Sequence, residues 1–184
     1  MILFFFLLSA SLLIAALIIF LYRQLVRLRS MVHEGWSGVD AQLTRRADLI
    51  PNLIETVNRY LRDQPELLDQ VTRLRSESML THELPKKQDV ENALTSGLAR
   101  LFTLVENYPD LKADRNFQIL QHQLADIEDQ IQLTRRYYNG TVRSLNVAIK
   151  TFPSSIVARW LAFETVSFFE ILQPADQAVS KVGV

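Results

Sequence analysis

Cysteine is absent from the chain, which removes disulfides, thiolate nucleophiles and cysteine-ligated zinc sites together. It does not assign a compartment, because reducing and oxidising compartments both contain cysteine-free proteins. Five glycines and six prolines are few for 184 residues. With no repeats and no low-complexity stretch, this argues against disorder, collagen-like structure and solenoids. An excess of one charge is also missing: 20 Lys and Arg balance 20 Asp and Glu, so no overall basic field draws the chain to nucleic acid. The histidines, His33, His82 and His122, are far apart, and neither HExxH nor Glu-x-x-His occurs, so no metal site is expected. GxGxxG, the Walker loop and the nucleophile elbow are absent as well. Gly97 and Gly140 read as places of close helix packing or a bend. The expectation is a protein that is not an enzyme, with no cofactor, no catalytic or metal residue and no evident small-molecule substrate.

What is present begins with residues 2–20, a run of Leu, Ile, Phe and Ala broken only by Ser9 and Ser11. At about 1.5 Å per residue it matches a hydrocarbon core of roughly 30 Å. No Lys or Arg precedes the run, so a retained anchor is expected over a cleaved signal peptide. Arg23, Arg27 and Arg29 follow it, with Tyr22 at the expected interface. The positive-inside rule then puts the N-terminus outside and the bulk of the chain in the cytoplasm, as a single-pass protein.

Beyond the anchor, Leu25, Leu28, Val32, Trp36, Val39, Leu43, Ala47, Ile50, Ile54, Val57 and Leu61 recur at steps of three and four, the helical period. Pro51 keeps this stripe in phase and predicts a kink rather than a turn. No glycine, proline or polar break separates Tyr22 from Leu25, so the anchor is expected to continue into the longest helix. Leu67, Val71 and Leu74 mark a second helix to about Ser78, and 80–89, with Pro85 and two lysines, reads as an exposed loop. Leu94, Leu98, Leu101, Val105 and Tyr108 mark a third helix. Asp114 is the expected N-cap of a fourth, about 35 residues and some 50 Å long, which ends before Pro153. The fold class is all-α: an N-terminal transmembrane helix continuing into an elongated antiparallel bundle of about four helices, with coiled-coil-like packing. The expected domains are an anchor at 1–22, a bundle at 23–172 and a frayed tail at 173–184.

Two places offer surfaces. Arg45, Arg46, Asp48 and Asn52 lie within two turns around Pro51, where a kink would free backbone carbonyls, and are candidates for binding a partner helix or an oligomer neighbour. The plainer reading is a solvated basic face at Arg45 and Arg46 and a solvated acidic face at Asp126, Glu128 and Asp129. On that reading Asn52, Asn116, Asn139 and Asn146 lie inside the bundle and set helix register. The aromatic segment 154–172 is expected either to pack back across the bundle or to lie on a membrane or partner, with Trp160, Phe163 and Phe169 as candidate membrane-surface contacts.

Several dispersed motifs in order then carry a resemblance: Trp36-Ser37, Gln42-Leu43, RRADLIPNLIETV at 45–57, VENYPDLKA at 105–113, Asn116-Phe117 with Leu120-Gln121, RRYYN at 135–139, Asn146 and Phe152-Pro153. Together with the apolar N-terminal segment, these resemble the LemA family of bacterial membrane proteins from the anchor to about Glu170. The resemblance implies one anchor and an elongated helical bundle, with no settled activity to transfer. A relative that takes part in building magnetosome membranes suggests membrane organisation or scaffolding. The chain departs from the family pattern at Glu34-Gly35, where Asn-Ala is expected, and at 162–167, which lacks the usual glycine and prolines. The expected function is a membrane-anchored, non-catalytic scaffold or adaptor that binds protein partners or self-associates. The alternative is a lipid-contacting or membrane-remodelling protein.

Overall fold

In a computed structural model, which describes residues 1–171, the chain forms six helices: α1 (Ile2–Asn58), α2 (Pro65–Leu80), α3 (Leu84–Val105), α4 (Pro109–Ala113), α5 (Arg115–Lys150) and α6 (Ser154–Trp160). No strand occurs among the described residues. The tail expected at 173–184, and Leu172 of the aromatic segment, lie outside them. Two compact units are present. Unit 1 comprises Met1–Ser37 with Arg136–Phe168, and unit 2 comprises Gly38–Arg135 with Phe169–Val184.

α1 is a single helix of 57 residues. Its first part is apolar on every side, with a mean hydropathy of 2.9 over its most apolar window and no side chain of that window buried. Leaving one Leu, Ile or Phe in water costs about 1.5–3 kcal/mol. So many exposed together are stable only in an apolar surrounding. The helix then continues through Pro51 to Asn58. Proline has no N–H to give the carbonyl four residues earlier, and that carbonyl, of Ala47, accepts a hydrogen bond from Arg75 Nε at 3.0 Å. The backbone group freed by Pro51 is thus already paired within the fold.

A core of unit 2 is built from the stripes of its helices. Ile50, Leu53 and Val57 of α1 meet Leu67, Val71 and Leu74 of α2, Leu94, Leu98 and Leu101 of α3, and Phe117, Leu120 and Leu124 of α5. The expected loop at 80–89 shrinks to 81–83, because Pro85 sits in the first turn of α3, where a missing N–H costs nothing. The same effect at Pro109 starts the short α4, which the periodicity did not reveal. Asp114 caps α5 as expected: its Oδ1 accepts from the backbone N–H groups of Asn116 at 2.8 Å and Phe117 at 3.1 Å.

These bonds, the one from Phe117 foremost, hold the Asp114 carboxyl below its ordinary value of 3.8, assisted by Tyr60, and outweigh the opposing effect of burial. A depressed carboxylate pKa contributes stability above the unfolded value that is lost as pH falls through the folded one. Asp114→Asn keeps a capping oxygen but cannot titrate. The variant is therefore expected to lose less stability than the parent as pH falls below about 4, read as the acid-induced loss of helical circular dichroism. Parallel acid curves for the two proteins would contradict this.

In unit 1, Leu21 and Leu25 of α1 pack against Val157 and Ala158 of α6, with Ala148, Ile149 and Phe163 around them. Further along α1, Gly35 lets α5 come close. A Cβ there would stand 3.1 Å from Tyr138 Cα. Trp36 meets the Tyr138 ring edge-on at 5.5 Å. Gly140, by contrast, has nothing within 4 Å of a built Cβ, so it marks no close packing. Beyond α6 the chain is neither helix nor strand through residue 171, and Asn146 holds it by a pair of bonds: Nδ2 donates to the Val166 carbonyl at 2.8 Å and Oδ1 accepts from the Val166 N–H at 2.9 Å. The Tyr138 hydroxyl donates to the Ser167 carbonyl at 3.0 Å, and burial pushes that phenol's pKa up, which keeps the proton on the donor.

Candidate functional site

The candidate interaction residues of α1 divide between two faces. Arg45, Asp48 and Asn52 are exposed, and steps of three and four keep them on one side of the helix. Arg46 does not join them. It is 2% exposed and points into the unit 2 interior, so the reading of a solvated basic face at Arg45 and Arg46 holds only for Arg45. The carbonyl freed by Pro51, which motivated a binding site here, is occupied by Arg75. Asn52 and Asn116 are also exposed rather than interior, whereas Asn139 and Asn146 are half-buried.

Arg46 is the centre of a polar cluster that joins four helices. Its Nη1 donates to Thr95 Oγ1 of α3 and to Glu128 Oε2 of α5, both at 3.0 Å, and its Nη2 pairs with Glu91 Oε2 of α3. Glu91 is fully buried and also accepts from the Ser78 hydroxyl of α2. Lys87, expected in an exposed loop, is 5% exposed. Its Nζ donates to the Ser78 carbonyl at 2.7 Å and lies 3.7 Å from both Asp40 and Glu91. Buried charges are tolerated where opposite charge and hydrogen bonds replace water. Here two cations face Glu91, Glu128 and Asp40. Glu128 therefore belongs to this cluster and not to a solvated acidic face.

The periodicity contains a signal for these residues. Arg46 falls in step with Leu43, Ile50 and Leu53; Lys87 and Glu91 with Leu94, Leu98 and Leu101; Glu128 with Leu124 and Ile131. Each charge occupies a core position of its stripe. Above Arg46 and Glu128 a groove opens between α3 and α5, floored by Leu98, Phe102 and Leu124. Among the described residues no group of three or more metal-ligating side chains occurs.

The candidate membrane-surface residues also separate. Phe169 is 0% exposed and belongs to unit 2, so it has no surface to give a membrane. The chain beside it is tied down there, with the Glu170 N–H donating to Gln88 Oε1 at 2.8 Å and Arg135 donating to the Ile171 carbonyl. Phe163 is half-buried, with Arg29 6.0 Å above its ring. Trp160 is 77% exposed. Ile156, of the same aromatic segment, and Phe152, just before it, are exposed with it.

Charge is divided as well. Unit 1 contains seven Lys and Arg against Glu34 and Glu164 only, a net charge of +5, and the zero balance of the chain leaves −5 for unit 2. An all-helical, membrane-associated protein, whose first helix opens with a wholly apolar stretch, is the class these features define. The sequence profile of the LemA family matches residues 35–183, and the chain belongs to that family. Protein LemA of Metamycoplasma hominis is 27% identical over 148 residues, covering 80% of this chain and 68% of the relative. Magnetosome protein MamQ of Magnetospirillum gryphiswaldense is 29% identical over 84 residues, 46% of this chain and 31% of the relative. Magnetosome protein MamQ 1 of Paramagnetospirillum magneticum is 25% identical over 84 residues. The chain thus covers about a third of the length of the magnetosome proteins.

Proposed function

We propose that the protein is a single-pass scaffold or adaptor of a bacterial inner membrane, non-catalytic, with its N-terminus outside and its folded domain in the cytoplasm. There it binds protein partners or a second copy of itself. The observation that carries this reading is the continuity of α1, one helix that supplies both the apolar stretch and a full edge of the unit 2 core. A domain joined to the span through a helix, with no flexible linker between them, is an arrangement that a scaffold could use. Arg23, Arg27 and Arg29 directly after the span support the orientation. The exposed face of Arg45, Asp48 and Asn52 is the proposed partner surface. A second reading, a lipid-contacting or membrane-remodelling protein, is supported by the exposure of Phe152, Ile156 and Trp160.

Photo-crosslinking residues placed at Arg45 and Asp48 in native membranes are expected to yield discrete protein adducts, and a cysteine at Ser30 to stay unlabelled by a membrane-impermeant thiol reagent in whole cells. Crosslinks to nothing at either position would remove the support for a scaffold. Labelling at Ser30 would reverse the orientation.

A further inference from the structure

We infer that α6 and the turn before it form a second membrane attachment, in which Phe152, Ile156 and Trp160 enter the headgroup layer of the leaflet where α1 leaves the bilayer. This rests on the reading that α1 spans the membrane. One side of α6 is a core face, with Val157 4% and Ala158 1% exposed against Leu21 and Leu25. Its other side carries Ile156, 63% exposed, and Trp160, 77% exposed, four residues apart and hence on one face. Phe152, one turn upstream, is 76% exposed.

The level at which this face lies follows from α1. About twenty residues at 1.5 Å each consume the roughly 30 Å hydrocarbon core, so Leu21 stands at its edge and Leu25 in the polar layer beyond. α6 is packed against these two residues and therefore lies in that layer. Tyr22 and Val26, each partly exposed, extend the apolar surface along α1. Aromatic residues prefer this depth, where a ring meets acyl chains and a polar edge meets water.

The charges agree with an anionic surface. Lys150 and Arg159 flank the apolar residues and are exposed, as are Arg23, Arg27 and Arg29, and no acid occurs in unit 1 before Glu34 or between Arg136 and Phe163. Clustered cations beside a span draw anionic lipid. The groove between α1 and the end of α6 repeats the pattern, with Tyr22 and Val26 toward the span and Arg29 one to two turns further on. A protein partner fits less well, since three side chains fall far short of the roughly 800 Å² per side of a stable interface.

Because the full chain has no cysteine, spin labels can be placed singly at Ile156, Trp160, Leu12 and exposed Asp110 in nanodiscs of phosphatidylcholine with or without phosphatidylglycerol. At Ile156 and Trp160, collisions with oxygen are expected to exceed those with an aqueous nickel chelate severalfold relative to Asp110, and more so with phosphatidylglycerol. Nickel access equal to that at Asp110, with Leu12 in lipid, would overturn the second attachment and leave the anchor intact. Shielding from both reagents would also overturn it, since protein would then cover the face. Nickel access at Leu12 would remove the anchor itself.

Discussion

Glu91→Ala is expected to lower the stability of unit 2 by about 3–5 kcal/mol, the range for stranding one partner of a buried ion pair. Glu91 is fully buried between Arg46, Lys87 and Ser78. Its removal takes from Arg46 and Lys87 the buried carboxylate they share, and from the buried Ser78 hydroxyl its acceptor. At roughly 2–4 °C per kcal/mol for a domain of this size, the thermal midpoint should fall by about 10 °C. Arg46→Met should cost less. Glu91 then keeps Lys87 and Ser78, while Glu128, whose side chain is 33% exposed, can turn to water. The double variant Arg46→Met with Glu91→Ala should recover part of the single Glu91 loss, because Lys87 retains Asp40 at 3.7 Å. The expected coupling is about 1–3 kcal/mol. Denaturant midpoints of the four proteins in micelles measure it. A change below about 1 kcal/mol for Glu91→Ala would mean that the charges are hydrated and the cluster does not join the helices.

Gly35→Leu is the second large effect expected, and its interest lies in contrast with Gly140. A Cβ at Gly35 would meet the Tyr138 backbone at 3.1 Å and Thr141 Oγ1 at 3.4 Å. Backbone yields far less than a flexible side chain, so a leucine must push α5 away from α1 within unit 1, at a cost of about 3 kcal/mol or more. Alanine at Gly35 asks for a shift of a few tenths of an ångström, offset by a helix-propensity gain of about 1 kcal/mol, and is expected near neutral. Gly140→Ala meets nothing within 4 Å and should stabilise by about 0.5–1 kcal/mol. Thermal midpoints of the three variants should therefore order Gly140→Ala above the parent, Gly35→Ala beside it and Gly35→Leu well below. A tolerated Gly35→Leu would mean that the two helices are not in contact there.

Near-neighbour relations were legible in the sequence, because helix periodicity, capping and proline placement act over one or two turns. The apolar stretch, its continuation into α1, the Asp114 cap and the end of α5 all follow from residues within a few positions of each other, and the ordered motifs were enough to suggest the family. Burial depends on what a distant segment brings to the same place, and there only the tertiary structure decided. Arg46, Lys87 and Glu128 read as solvent or loop residues until α1, α2, α3 and α5 set them around the buried Glu91. Phe169 changed from a surface residue to a core residue for the same reason. Charge balance was equally non-local: a chain with no net charge folds into one unit at +5 and another at −5, because residues 1–37 and 136–168, far apart in sequence, are brought together where acids are few.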